Sequence, residues 1–277
     1  MNNSFNKKPS LTIFLFGGFG NNISQIYFGK CLEEKNFQVY YSDLLTNDNF
    51  LTKFLGWSIH DQTHRNLDLK YKKFSFIELS LILVNLLICK IINKSFHNVF
   101  FEGKNLLDDI DKNNLSKYKY LFGYFQSSKL LKNDLIKSFL IKQSHGTLNQ
   151  IAVHIRGGDF IESHRLSENY YLKTLNLVSK FELPIKIFTN DRSYSIEILD
   201  KFSAPYSFSK GSPYDDFVEI AKSKIIISGN STFSTWAALI SMAQIIYLPK
   251  RSGYANILIR RYDLHTINKA IEYIEDI

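Results

Sequence analysis

Apolar and polar positions alternate in blocks of two distinct periods along the chain. Leu11–Phe16 is a short apolar run that stops at Gly17-Gly18-Phe19-Gly20, the pattern of a strand entering a tight turn. Asn22–Asn36 follows with Ile23, Ile26, Tyr27 and Cys31 at helical spacing, and Phe37–Tyr41 is again strand-like. Tyr118–Tyr124 predicts another strand, and Gln126-Ser127-Ser128 after it a helix cap. A polar stretch within Lys142–Gln150 interrupts the pattern. Beyond it the alternation is cleaner. Strands are predicted at Ile151–Ile155, Ile185–Thr189, Lys224–Ser228 and Ile245–Leu248. Helices are predicted at Glu168–Lys180, Tyr194–Lys201, Tyr214–Lys222, Ser231–Met242 and Asn268–Ile274. Strands separated by helices of this length build βαβ units around a mainly parallel sheet. The expected organisation is α/β, with two Rossmann-like domains, 1–145 and 146–277, facing across a cleft. In such sheets ligands bind beyond the carboxyl ends of the strands.

Leu79–Ile92, LSLILVNLLICKII, stands apart from this alternation. It is shorter than the roughly 20 residues that cross a bilayer, and Asn85 and Lys90 interrupt it. Two readings fit: a buried core helix, or a helix lying on a membrane surface between the basic flanks Lys70, Lys72, Lys73 and Lys94.

Composition narrows the class. The 277 residues are 45% hydrophobic and 22% charged, which excludes a disordered chain. Thirty-four Lys and Arg against 26 Asp and Glu leave a formal net charge of +8, suited to an anionic partner. Helix-turn-helix, zinc-finger and RNP signatures are absent, so no nucleic-acid partner is expected. Cys31 and Cys89 make no disulfide framework, and the apolar run before Gly17 is too short for a signal peptide. The expected compartment is cytoplasmic, with peripheral contact to the inner face of the plasma membrane through 79–92.

Three segments placed directly after predicted strands carry candidate chemistry. Gly17-Gly18-Phe19-Gly20-Asn21-Asn22 opens a helix whose N-terminal N–H groups suit an anion, or is a structural turn. His154-Ile155-Arg156-Gly157-Gly158-Asp159 places His154 and Arg156 on one face of a strand end. The planar fork of Arg156 matches two oxygens of a pyrophosphate. The competing reading is a satisfied histidine beside an Arg–Asp surface pair. Ser228–Trp236 is a Ser/Thr-rich turn opening a helix, a phosphate cradle or an ordinary N-cap. Asp215 and Asp216 could accept hydrogen bonds from a ribose or base edge, or complement a helix dipole.

In this order the segments resemble the bacterial α-1,2-fucosyltransferases that use GDP-fucose. Gly17–Asn22 is similar to that family's G-G-L-G-N-Q, and Gly123-Tyr124-Phe125-Gln126-Ser127 to its G-Y-W-Q-S. His154–Asp159 resembles H-x-R-R-G-D, Tyr170-Tyr171 a tyrosine pair, and Phe188-Thr189-Asn190-Asp191 F-S-D-D. Asp216-Phe217 and Asn230–Ala237 match the closing D-F and N-S-(S/T)-F-S-W-W segments. Departures are Gly157 for the family's second Arg, Asn22 for Gln, Thr235 for the first Trp, and Lys222-Ser223-Lys224 in place of Cys and His.

The resemblance implies a GT-B architecture and an inverting transfer of fucose from GDP-fucose, with neither metal nor cofactor. The implied acceptor is the 2-hydroxyl of a sugar, usually galactose, in a surface glycan such as O-antigen, and it can be lipid-linked. It further implies that Arg156 binds the β-phosphate and that His154 and Asp216 hold the nucleoside. Ser231, Thr232 and Phe233 would hold the diphosphate, Asn21 would reach the donor from the N-terminal side, and Gly20 and Asn230 belong to the same donor-binding set. Asp159 is the first candidate for the general base, ahead of His154 or the leaving phosphate itself. A GT-B enzyme using another nucleotide sugar, and a non-catalytic protein binding anionic lipid or polyanions, are the alternatives.

Overall fold

In the computed structural model the described residues are 8–46, 52, 63–102, 115–127, 130, 135, 146–158, 160, 162–250 and 270–276. The chain divides into two units, Met1–Leu131 and Lys132–Ile277.

The first unit is built on four strands, β1 (Ser10–Phe14), β2 (Gln38–Ser42), β3 (Val99–Phe101) and β4 (Tyr120–Phe122). They run parallel in the order β2-β1-β4-β3. Helix α1 (Phe19–Glu34) connects β1 to β2 and is buried along most of its length. Helix α2 (Phe76–Ile92) begins three residues before the predicted segment, because the Ser75 hydroxyl accepts the Glu78 N–H as an N-cap. One face of α2 enters the core: Ile82, Leu86 and Cys89 pack with Phe14, Val99, Tyr120 and Phe122. The reading as a buried core helix holds for this face alone. Phe76, Ile77, Leu81, Val84, Ile91 and Ile92 of α2 are exposed. Among the described residues no helix is long and apolar enough to cross a membrane.

The second unit holds six parallel strands: β5 (Leu148–Ile155), β6 (Ile185–Thr189), β7 (Tyr206–Phe208), β8 (Ser223–Ile227), β9 (Ile245–Lys250) and β10 (Ala270–Glu275). Their order is β10-β9-β8-β5-β6-β7. Counted within the unit, this is the doubly wound order 3-2-1-4-5-6. Helices α3 (Glu168–Ser179), α4 (Arg192–Leu199), α5 (Pro213–Lys222) and α6 (Thr232–Ile240) follow β5, β6, β7 and β8. Sheets covered on both faces need strands apolar on both faces. Ile151-Ala152-Val153-His154-Ile155 and Ile225-Ile226-Ile227 are buried without interruption.

The predicted C-terminal helix Asn268–Ile274 is a strand instead over its described part. Ala270–Glu275 pairs in parallel with β9, Ala270 opposite Ile245 through Glu275 opposite Lys250. Ile271, Tyr273 and Ile274 favour a pleated, half-buried surface, and β9 would otherwise end the sheet with an unpaired edge. The short strands β3 and β7 add to the strands predicted from the sequence.

Candidate nucleotide-sugar site

A doubly wound sheet opens a crevice where its strand order reverses. In the second unit that point lies between β5 and β8. His154 and Arg156 leave the end of β5 there, and Ser228-Gly229-Asn230-Ser231 leaves the end of β8. The two sequence-predicted segments are therefore neighbours through the topology alone.

His154 is buried, and a Cβ placed on Gly229 would lie 2.7 Å from its carbonyl oxygen and 2.8 Å from its Nδ1. Only glycine lets the β8 turn come this close. The imidazole lies 5.5 Å from the Phe233 ring, which in turn meets Phe217 at 5.4 Å. Burial, then the charge of Arg156, lowers the His154 pKa from 6.5 to about 3. The ring is neutral at physiological pH and a weak proton acceptor. Among the described residues its Nδ1 and the Asn230 Oδ1 are buried polar atoms without a hydrogen-bond partner. Such atoms call for a partner.

This shift predicts an acid sensitivity. Between about pH 6.5 and 3 the unfolded chain binds a proton that the folded chain refuses, so stability falls as pH falls, by about 1.4 kcal/mol per unit at most. Unfolding midpoints measured from pH 7 to 4.5 should decline less steeply in His154→Asn than in the wild type. Parallel curves would contradict the assignment.

Arg156 is half-buried, with its guanidinium 5.3 Å over the Phe160 ring. The turn after it is clamped from β6. Gly157 N–H donates to Asn190 Oδ1 at 3.0 Å and Gly158 N–H to Asp191 Oδ2 at 2.9 Å. Gly158 has φ +54°, and a Cβ on Gly157 would lie 2.8 Å from both Asp191 Cβ and Tyr194 Cδ1. Asp191 also caps α4 through the Tyr194 N–H. The N–H groups of Gly158 and then Tyr194 hold its carboxyl below the ordinary aspartate range. Asp159 lies outside the described residues.

The N-terminus of α6 faces the same crevice. Ser231 is its N-cap, its hydroxyl accepting the Phe233 N–H at 3.2 Å. Such a cap contributes about 1 kcal/mol. The cap and the phosphate-cradle readings coexist, because a capped helix start still presents N–H groups and positive potential. Ser228 Oγ donates to Ser234 Oγ at 2.9 Å within the turn. Tyr170 Oη donates to the Ser228 carbonyl at 2.8 Å from α3. The tyrosine pair is thus core that fixes the turn. Asn230 Nδ2 donates to the His164 carbonyl at 3.1 Å, and Thr232 is partly exposed.

The adjacent aspartates part company. Asp215 closes a capping box with Ser212 at the start of α5. Asp216 accepts from Ser209 Oγ at 2.5 Å, and burial raises its carboxyl pKa against that hydrogen bond. Phe217 beside it packs on Phe233, which ties α5 to α6.

In the first unit, the loop after β1 meets the turn after β4. Asn21 Oδ1 accepts from Gln126 Nε2 at 2.8 Å. Gly18 N-caps α1 without a side-chain hydrogen bond, and Gly20 is buried in the first turn. Asn22 is fully buried and donates to the Phe16 carbonyl and Gln25 Oε1, so its role is structural.

Sequence reading missed three residues that hold these turns. Arg165 donates from Nε to the Phe160 carbonyl and from Nη2 to the Gly158 carbonyl, with its guanidinium 4.8 Å over Tyr194. Glu102 Oε2 accepts the N–H groups of Tyr124 and Phe125 at 2.7 and 2.9 Å. Ser209 orients Asp216. No group of three or more His, Cys, Asp or Glu that could hold a metal occurs among the described residues.

The sequence profile described as glycosyl transferase family 11 matches residues 25–263. The chain belongs to this family. Family 11 is the α-1,2-fucosyltransferase family, so the protein is a glycosyltransferase. Its two units are α/β with parallel sheets. No curated protein matches the chain. Among solved structures, heptosyltransferase II of E. coli is 13% identical with a TM-score of 0.48, over 95% of this chain and 90% of that one. E. coli heptosyltransferase WaaC, solved with ADP, is 8% identical with a TM-score of 0.49, over 95% and 93%. The α-1,6-fucosyltransferase NodZ, soaked with GDP-fucose, is 12% identical with a TM-score of 0.41, over 84% and 93%. None of these likenesses is close enough to bring an activity to this family 11 chain. Within the family pattern, Gly157 is where the structure explains a departure: the space of a side chain is taken by Asp191 and Tyr194.

Proposed function

We propose that this family 11 protein transfers L-fucose from GDP-fucose to the 2-hydroxyl of a sugar, usually galactose, in a bacterial surface glycan such as O-antigen. The observation that carries the reading is that β5, which ends in His154 and Arg156, and β8, which leads into the Ser231-capped start of α6, are neighbours at the switch point, with His154 against Gly229 and Phe233. In this proposal the second unit binds the donor and the first serves the acceptor.

The reaction makes one bond and breaks one. The acceptor oxygen bonds to the anomeric carbon with inversion, and the bond from that carbon to the β-phosphate oxygen breaks. Negative charge grows on the departing diphosphate while the sugar becomes oxocarbenium-like. Arg156 and the positive N-terminal end of α6 are fixed in place for that charge, and they need no reorganisation as it forms. Neutral His154, Asn230 and Asp216 are acceptors for N–H and O–H groups of guanine and ribose. With His154 so weak a base, the acceptor's proton goes to Asp159 or to the diphosphate. Gly20 and Asn21 are assigned to the donor from the family resemblance.

The test is transfer with EDTA present. GDP-fucose and a panel of β-galactosides should give a fucosylated product whose linkage, read by NMR, is α-1,2. A product joined through another hydroxyl, or turnover abolished by EDTA, contradicts the proposal.

A further inference from the structure

Helix α2 is apolar around nearly its whole circumference, which requires partners on two sides. The core supplies one, through Ile82, Leu86 and Cys89. On the opposite arc Ile77, Leu81, Val84 and Ile91 recur at helical spacing and stand in solvent, Ile77 at 72% and Ile91 at 74% exposure. Phe76, at 84%, extends this surface at the N-terminal end and Ile92 at the other. Scattered exposed apolar residues need no explanation, but a continuous stripe along one helix marks an interaction surface.

We propose that this face of α2 docks on an anionic lipid bilayer, with the helix lying in the plane of the surface. Charge selects this occupant. Exposed Lys70 and Lys73 precede the helix, and exposed Lys90 and Lys94 lie at its far end. The one acid between them, Glu78, is engaged by Lys72 Nζ at 3.0 Å and by the Tyr120 hydroxyl at 2.6 Å. The surface is therefore apolar in the middle and cationic at both ends. Apolar side chains enter the acyl boundary while the lysine stems keep their ammonium groups among lipid phosphates. A second copy is a poorer occupant, because pairing α2 with itself in either direction sets lysine against lysine. Spanning is excluded for α2, since its 17 residues are shorter than the hydrocarbon core and its inner face is committed to the protein.

The experiment is co-sedimentation of the full chain with vesicles of phosphatidylglycerol mixed into phosphatidylcholine, and with phosphatidylcholine alone. The wild type should pellet with the anionic vesicles at low salt. The combined variant Ile77→Ser, Leu81→Ser, Val84→Ser, Ile91→Ser should lose at least about tenfold in partitioning. Lys73→Gln with Lys94→Gln should lose mainly the salt-sensitive part. Unfolding midpoints and GDP binding should match the wild type in both variants, which separates this surface from the donor site. A wild type that stays in the supernatant overturns the proposal. So does a wild-type dimer in size-exclusion chromatography that the serine variant converts to a monomer.

Discussion

Arg156→Ala should lower kcat by about 10²–10³-fold, the cost of removing one fixed donor from developing charge. The residue leaves β5 at the switch point and rests on Phe160, outside the hydrophobic cluster of the second unit. Its removal opens no cavity in that core, so the unfolding midpoint should move little. Arg156→Lys keeps the charge but replaces a planar fork by a point charge, and should recover only part of the rate. The pattern to look for is a fall in kcat with a larger fall in kcat/KM, because Arg156 holds the diphosphate in the bound donor and holds it more strongly as its charge grows. A variant within threefold of the wild type would remove Arg156 from the mechanism.

The second large effect comes from restoring what the family carries. Gly157→Arg should destabilise the second unit and reduce turnover, although arginine is the family residue at that position. The first side-chain carbon would enter at 2.8 Å from Asp191 Cβ and Tyr194 Cδ1. Neither can yield cheaply. Asp191 is held by the N–H groups of Gly158 and Tyr194, and Tyr194 donates to the Leu166 carbonyl at 3.1 Å beneath Arg165. Overpacking of this kind costs about 1–3 kcal/mol. Displacing the turn also moves Arg156, one residue away. Denaturant midpoints and steady-state kinetics check both parts. A variant as stable as the wild type and faster in turnover would mean that the crevice has room for a second guanidinium.

How legible these features are in the sequence depends on the range of the interaction. The Ile-rich runs of β5, β6 and β8 are readable because a doubly covered parallel strand must be apolar on both faces. Ser231 and the glycine turn are readable because caps and tight turns are local. Ala270–Glu275 misleads, since Ile271, Tyr273 and Ile274 satisfy a helical and a strand period over six residues. Pairing with β9 decides it, and that partner lies some twenty-five residues earlier in sequence. Glu102 and Arg165 are invisible for a different reason. They bond backbone groups, 22 and 23 residues on for Glu102 and 5 and 7 residues back for Arg165, with no motif spacing to reveal them. The double nature of α2 also escapes the sequence, because hydropathy alone does not tell an inward apolar face from an outward one.

The most direct test of the central claim is calorimetric titration of the wild type and Arg156→Ala with GDP-fucose, GDP-mannose, UDP-galactose and an ADP-sugar, each with EDTA. The account predicts that GDP-fucose binds most tightly without metal and that Arg156→Ala weakens it by at least about tenfold. Preference for a UDP- or ADP-sugar, or affinity for GDP-fucose untouched by Arg156→Ala, would contradict it.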